Sequence, residues 1–479
     1  FWRYLTSCVI RKLIKIMKIT FVGATRIVTG SCFHIQTKEA NLLIDCGLFQ
    51  GTRENEQRNS EPFPFNPSEV DCLLLTHAHL DHSGLIPKLV KEGFQGKILT
   101  TKATVELCSV MLLDSAHIHE RDAEWSNKKR MRSGKPPIQP LYTVEDATNS
   151  LGYFQGINYS EIVDLENGVK IRFQDAGHIL GSASVELWVR EDAKEKKLVF
   201  SGDIGQKDLP IVKDPTPIEE ADYVFTESTY GNRRHKNIEE TIEEFRKAIT
   251  EALERGGNVI IPAFAVGRTQ NILYILKQLS KEGNLNNLKV FVDSPTAIQA
   301  TGITLNHPEC LDEETLELVK EGKLSGSGLS LTFTEKVQDS MKINKTKSGA
   351  IIISASGMCN AGRIRHHLKH NLWRPECSVI FVGYQAQGTL GRIIIDGAKE
   401  VRLFGEEIAV KAKIYTIGGF SAHADKDGLI DWLSKFKKKP ERIFVMHGEE
   451  ETALGFADTI KKRLNVDAYA PFCMEDITV

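Results

Sequence analysis

His77-Ala78-His79-Leu80-Asp81-His82 places three imidazoles and one carboxylate within six residues. Nitrogen and carboxylate donors together suit zinc or another borderline divalent ion. A lone histidine is usually a packing or surface residue, whereas a cluster at ligand spacing is not. The apolar run Cys72-Leu73-Leu74-Leu75 just before it reads as a buried strand. Ser83-Gly84 follows, and then Leu85, Ile86, Leu89 and Val90 at helical spacing. A continuing strand would send His77, His79 and Asp81 to one face. On a strand-to-helix loop they can instead converge from several directions.

Other strand ends carry similar residues. Lys170–Gln174 leads into Asp175-Ala176-Gly177-His178, and Leu198-Val199-Phe200 into Ser201-Gly202-Asp203. A dinuclear site needs two donors beyond the first cluster, one of them a carboxylate able to bridge, and His178 and Asp203 fill those places. Asn41–Ile44 ends on Asp45, which is either a solvated turn residue or a partner that orients a ligating histidine. Ala221–Thr226 ends at Glu227-Ser228-Thr229, Ala412–Ile417 precedes His423-Ala424-Asp425, and Arg442–Met446 runs into His447-Gly448-Glu449. His117 and His119 lie on a long helical segment, where i and i+2 point about 200° apart, so they read as surface or interface residues.

The elements that must position these groups fall into two textures. Short strands at close spacing dominate up to residue 212, as expected of a meandering sheet. From about 213 to 400, strands alternate with helices, the signature of βαβ units and a parallel sheet. Beyond 401, histidines again sit at strand ends. The expected organisation is a first domain over 18–212 completed by 401–479, with a second domain, 213–400, inserted between. Residues 1–17 are expected to be a non-native or flexible extension, because Met17-Lys18-Ile19 reads as a natural start. The first residues are apolar but broken by Arg3, Arg11, Lys12 and Lys15, so no membrane span or secretory leader is expected. A net charge of −2 means that any nucleic-acid contact must use local patches. Nine scattered cysteines without a CxxC pair suggest core thiols in a reducing cytoplasm.

His77 to His82 followed by His178 and Asp203 resembles the metallo-β-lactamase superfamily, an αββα sandwich. Glu227 in Thr-Glu-Ser-Thr, His423 in Phe-Ser-Ala-His-Ala-Asp and His447 in Met-His-Gly-Glu are similar to the further motifs of its β-CASP nucleases. The resemblance covers residues 18–479. It implies an α/β fold, the sandwich with an inserted parallel α/β β-CASP domain. The histidine at 447 resembles the RNA-directed branch. With little chain after His447, the sequence looks most like compact bacterial relatives of the endonuclease subunit of the pre-mRNA cleavage and polyadenylation factor.

The resemblance implies two zinc ions per chain. His77, His79 and His178 would hold one, Asp81, His82 and His447 the other, and Asp203 would bridge. The implied reaction is RNA phosphodiester hydrolysis by a metal-activated hydroxide, in RNA processing or decay, leaving 5′-phosphate and 3′-hydroxyl ends. His423 is the candidate general acid, with Glu227 orienting it. In the second domain, three small-residue turns after strands offer backbone N–H groups to phosphates. They carry Arg268, Ser356-Gly357 with Arg363, and Tyr384 with Arg392 as candidate RNA contacts. His366 and His370 share a helix face, where a solvated or RNA-facing role is expected over a metal pair. The sequence leaves endonuclease and 5′-to-3′ exonuclease modes both open. Family members are often homodimers. Two other readings stand beside the nuclease: a small-molecule hydrolase of thioesters, lactones or β-lactams, and a non-catalytic RNA-binding scaffold.

Overall fold

A computed structural model describes residues 17–191, 194–283, 285, 288–320 and 329–479. The expected N-terminal extension lies outside them, apart from Met17. The chain divides into two compact units: one of residues 1–207, 214–234 and 423–479, the other of 208–213 and 235–422.

Two seven-stranded sheets build the first unit. One runs in the order Asp476–Thr478, Lys18–Phe21, Phe33–Gln36, Asn41–Ile44, Cys72–Leu74, Lys97–Thr101, Phe154–Ile157. The other runs Ala468–Tyr469, Arg442–Val445, Tyr223–Thr226, Lys194–Phe200, Ala183–Glu191, Val169–Asp175, Ile162–Asp164. Their inner faces share one apolar core, with Phe21 and Phe33 from the first sheet and Phe173, Phe200, Phe225 and Phe444 from the second. The Phe200 and Phe225 rings stack with centroids 4.3 Å apart, and Phe225 and Phe444 at 5.0 Å. Helix Lys102–Arg132 packs on the first sheet. Helices Lys426–Leu433 and Glu450–Leu464 cover the second through Leu429, Trp432, Phe456 and Ile460. The layers are the αββα sandwich.

Strand direction is what gathers the site. Lys194–Phe200, Tyr223–Thr226 and Arg442–Val445 are parallel neighbours, with Phe200, Phe225 and Phe444 in register. The chain therefore delivers Asp203, Glu227 and His447 at the same edge of one sheet. In the other sheet Asn41–Ile44 pairs in parallel with Cys72–Leu74, so Asp45 and His77 leave together. Ligand-bearing loops at the carboxyl ends of strands are the usual solution in such folds.

The second unit is a six-stranded sheet, ordered Leu329–Phe333, Leu288–Val292, Ala350–Ser354, Val259–Pro262, Ser378–Phe381, Lys413–Thr416. Every pairing is parallel. Helices Ile238–Glu254 and Arg268–Lys281 bury Phe245, Ile249, Ile272 and Leu276 on one face. Helix Ile364–Asn371 buries Ile364 and Leu368 on the other.

Several strands fall on the other side of the expected boundaries, among them Tyr223–Thr226, Glu406–Ala409 and Lys413–Thr416. Tyr223–Thr226 belongs to the first unit because its hydrogen-bond ladders join it to Lys194–Phe200 and Arg442–Val445. Lys413–Thr416 belongs to the second because it pairs with Ser378–Phe381. The units divide near 235 and 422 rather than at 213 and 400. A change in strand–helix rhythm marks where a pattern begins, but the sheet that a strand joins depends on partners remote in sequence.

Candidate metal centre

His77, His79, His178 and Asp203 bring one donor atom each within 4.8 Å of one another, and so do Asp81, His82 and His447. His77 Nε2 lies 3.1 Å from His79 Nδ1, which lies 3.2 Å from His178 Nε2. His82 Nε2 and His447 Nε2 are 3.2 Å apart. Converging imidazole nitrogens repel unless something positive lies between them. Two nitrogens bound to one tetrahedral zinc at about 2.05 Å would be roughly 3.3 Å apart, so the donor set fits a divalent ion.

Asp203 faces both groups. Its Oδ2 is 3.5 Å from His77 Nε2 and 3.5 Å from His178 Nε2. Its Oδ1 is 3.4 Å from His82 Nε2 and 3.7 Å from His447 Nδ1. Asp81 Oδ2 stands 3.5 Å from His447 Nε2.

The outer nitrogens of three imidazoles are anchored, which aims Nε2 inward. Thr76 Oγ1 meets His77 Nδ1 at 3.1 Å, Asp45 Oδ2 meets His82 Nδ1 at 2.7 Å, and Thr229 Oγ1 meets His447 Nδ1 at 3.1 Å. Asp45 is thus a buried orienting carboxylate and not a solvated turn. It also accepts from the Thr76 N–H at 2.9 Å and from Ser31 Oγ at 3.1 Å. The backbone cooperates at some cost: Asp45 has φ 60° and His447 φ 49°, a conformation worth about 1–2 kcal/mol to a non-glycine residue. Gly47 is required because a Cβ there would stand 1.7 Å from the Asp81 carbonyl oxygen.

Burial, with the neighbouring His82, keeps His77 well below the usual imidazole range. Burial takes His79 down to about 4 and lowers His178 strongly. Each shift favours the neutral imidazole, whose ring nitrogen has a lone pair to offer. His82 behaves in the opposite way: burial opposes its charge, but Asp203 and Asp45 outweigh burial and raise it.

Beside this set, Glu227 holds His423. Nδ1 of His423 is 3.1 Å from Glu227 Oε1 and 3.1 Å from Oε2, and 3.9 Å from Asp203 Oδ2. Glu227 is fixed in turn by the Ile204 N–H at 2.7 Å and the Thr229 N–H at 3.2 Å. Burial would lower His423, but Glu227 and Asp203 prevail and lift it to about 9. Its side chain remains 16% exposed.

The candidate RNA contacts of the second unit look different. Arg363 donates to Asp293 Oδ1 at 2.7 Å and to the carbonyls of Thr334 at 2.9 Å and Glu335 at 2.6 Å. The guanidinium is thus committed to a protein carboxylate. Asp293 also accepts from Ser340 at 2.6 Å and sits 2.7 Å from His367 Nε2. Arg268 is buried. Arg392 pairs with Asp396 at 2.9 Å. Ser356 and Tyr384 are half-buried and Gly357 is buried. His366 and His370 are exposed, and His366 stacks on Phe404. His117 is exposed, whereas His119 packs edge-on against Tyr142 with centroids 4.8 Å apart.

Sequence reasoning passed over Thr76, Thr229 and the Asp293–His367 pair. Asp293 directly follows a strand, as Asp45 does, and that pattern was the available signal.

Residues 26–251 match the metallo-beta-lactamase superfamily, 269–394 the Beta-Casp domain and 407–471 the Zn-dependent metallo-hydrolase RNA specificity domain. The chain is 37% identical to Ribonuclease TTHA0252 of Thermus thermophilus, over 93% of this chain and 96% of that protein. It is 32% identical to an RNase J-like protein of Methanocaldococcus jannaschii, over 95% and 97%. Transcription termination factor FttA of Methanosarcina mazei is 30% identical, over 96% of this chain and 71% of that one. A solved protein of unknown function from Enterococcus faecalis V583 shares the fold, with a TM-score of 0.54 at 11% identity, covering 97% of this chain and 100% of that one. The chain belongs to the β-CASP family of the metallo-β-lactamase superfamily.

Proposed function

We propose that the protein is a zinc-dependent ribonuclease that hydrolyses RNA phosphodiester bonds at the His77–His447 cluster. His77, His79 and His178 would hold one ion, Asp81, His82 and His447 a second, and Asp203 both. When bound, the ion pair supplies an acidified water and neutralises charge on the phosphate oxygens. Asp203 fixes the separation of the two donor groups by presenting one oxygen to each. His423 gives its proton to the departing 3′-oxygen, leaving a 3′-hydroxyl and a 5′-phosphate. Glu227 keeps His423 protonated and oriented through Nδ1.

The observation that carries this reading is the position of His423, 3.9 Å from Asp203 and held by Glu227. It sets an imidazole acid directly beside a two-group donor set. RNA as the substrate is supported by the match to the RNA specificity domain and by the ribonuclease relatives. A reducing compartment, the cytoplasm, is supported by the free thiols of Cys32, Cys46, Cys72, Cys108 and Cys473. Among the described residues, no helix is long and apolar enough to cross a membrane.

The test is incubation of the zinc-loaded protein with linear and covalently circular RNA of one sequence, beside Asp203→Ala. Cleavage of the circle defines an endonuclease. Cleavage of the linear RNA alone defines an exonuclease. Cleavage of neither overturns the ribonuclease reading.

A further inference from the structure

Helix Lys102–Arg132 ends in a feature that the catalytic centre does not use. Lys128, Lys129, Arg130, Arg132 and Lys135 fall within eight residues of a chain whose net charge is −2. Among the described residues, none of these five forms an ion pair with a carboxylate within 4.0 Å. Trp125, Lys128, Lys129 and Arg132 stand at i, i+3, i+4 and i+7, so they share one helix face. All four are exposed, and Trp125 is 58% exposed. Lys129 Nζ lies 3.3 Å from the Trp125 ring centroid.

The tip is held in shape. Arg130 Nε donates to the Pro136 carbonyl at 2.6 Å, and the Lys135 N–H to the Arg130 carbonyl at 2.9 Å. Asn127 bonds Ile138 twice, donating through Nδ2 at 2.9 Å and accepting from the Ile138 N–H at 2.7 Å. The loop after the helix is thus folded back against it.

We infer that this tip is a docking surface for single-stranded RNA, with Trp125 as a stacking platform and Lys128, Lys129 and Arg132 on the phosphates. An aromatic ring flanked by cations is how proteins hold single strands without reading sequence. A membrane surface fits less well, because Arg130 extends the charge round the helix and there is no continuous apolar face. The inference rests on the ribonuclease reading and adds to it a second point of attachment.

The helix itself sets the spacing. Its first turn is tied to the ligand-bearing loop, with Thr101 Oγ1 donating to the Gly181 carbonyl at 2.6 Å and Thr104 Oγ1 at 2.9 Å. At about 1.5 Å per residue its 31 residues carry the tip roughly 45 Å away. A stacked strand advancing about 3.4 Å per nucleotide covers that distance in roughly 13 nucleotides. Short RNA reaches the metal cluster without the tip, and long RNA reaches both.

The experiment compares the zinc-loaded protein with Lys128→Gln/Lys129→Gln/Arg132→Gln, and separately with Trp125→Ala. Cleavage and fluorescence-anisotropy binding are measured on RNAs of roughly 6 and roughly 30 nucleotides, lengths on either side of that span. The expected result is unchanged kcat/KM on the short RNA and about a tenfold loss on the long one. The salt slope of long-RNA binding should fall by about 2, since each lost phosphate contact removes about 0.7. Lys→Arg and Trp125→Phe variants should behave as the parent does. Equal effects on both lengths, or none on the long RNA, overturn the proposal. Co-sedimentation of the parent with phosphatidylserine vesicles, lost in the triple variant while long-RNA binding stays intact, overturns it in favour of a lipid surface. If the parent binds long RNA through the tip but cuts neither RNA, the docking site stands and the ribonuclease reading falls.

Discussion

Both carboxylate oxygens of Glu227 stand 3.1 Å from the one nitrogen, Nδ1, of His423. A symmetric grip of this kind leaves the imidazole a single orientation. Glu227→Gln preserves the shape and removes the charge. RNA cleavage should fall by about 10²- to 10⁴-fold, the range of general acid–base contributions. Zinc content measured on the same preparation should not change. Loss of zinc together with activity would assign Glu227 to metal retention.

Asp45 acts on the centre only through what it holds, His82 Nδ1 at 2.7 Å and the Thr76 N–H at 2.9 Å. Asp45→Asn should weaken zinc binding about 10- to 100-fold, the usual cost of removing a partner that orients a ligand. Chelator competition measures it. An unchanged affinity would show that His82 needs no orienting carboxylate.

Chelation should abolish cleavage, and zinc should restore it. Elemental analysis should give two zinc ions for the parent chain. His447→Ala removes a donor from one group only, so it should retain about one ion, since all four donors of the other group, His77, His79, His178 and Asp203, remain. Asp203→Ala should lower occupancy at both groups and eliminate turnover.

Asp293 is held in the second unit by Thr334, Ser340, Arg363 and His367. Burial pushes its carboxyl upward, but bonds from His367, Ser340, Thr334 and Arg363 outweigh burial and hold it far below the usual carboxylate range. A folded-state value below the unfolded one, about 3.9, stabilises the protein above that pH, and the contribution is lost as pH falls through the folded value. Asp293→Asn should cost about 3–5 kcal/mol near pH 7, as for a broken buried ion pair. Its deficit in melting temperature against the parent should shrink as pH is lowered below about 4. Arg363→Ala should likewise lower the melting temperature and leave the salt dependence of RNA binding unchanged.

Much of the centre was legible in the sequence because its donors are rare types placed where apolar runs stop. His77 to His82, His178, Asp203, Glu227, His423 and His447 all announce themselves in that way. Thr76 and Thr229 did not, because a threonine beside a histidine has no distinctive spacing. The sheet allegiance of Tyr223–Thr226 and Lys413–Thr416 was hidden too, since it depends on ladders to strands far along the chain. The protein partners of the candidate RNA contacts were hidden for a related reason. An arginine after a glycine-rich turn looks available until its partner, Asp293 for Arg363, is known.

Lys18–Phe21 pairs with Asp476–Thr478, and Tyr223–Thr226 pairs with Arg442–Val445. The sandwich therefore closes only when the last part of the chain arrives, and His447 arrives with it. A growing chain on the ribosome already carries His77, His79, His178 and Asp203 while it still lacks the seventh donor. Contacts this distant in sequence form late and slowly. His447 therefore joins the other members of the cluster only once the last part of the chain is in place.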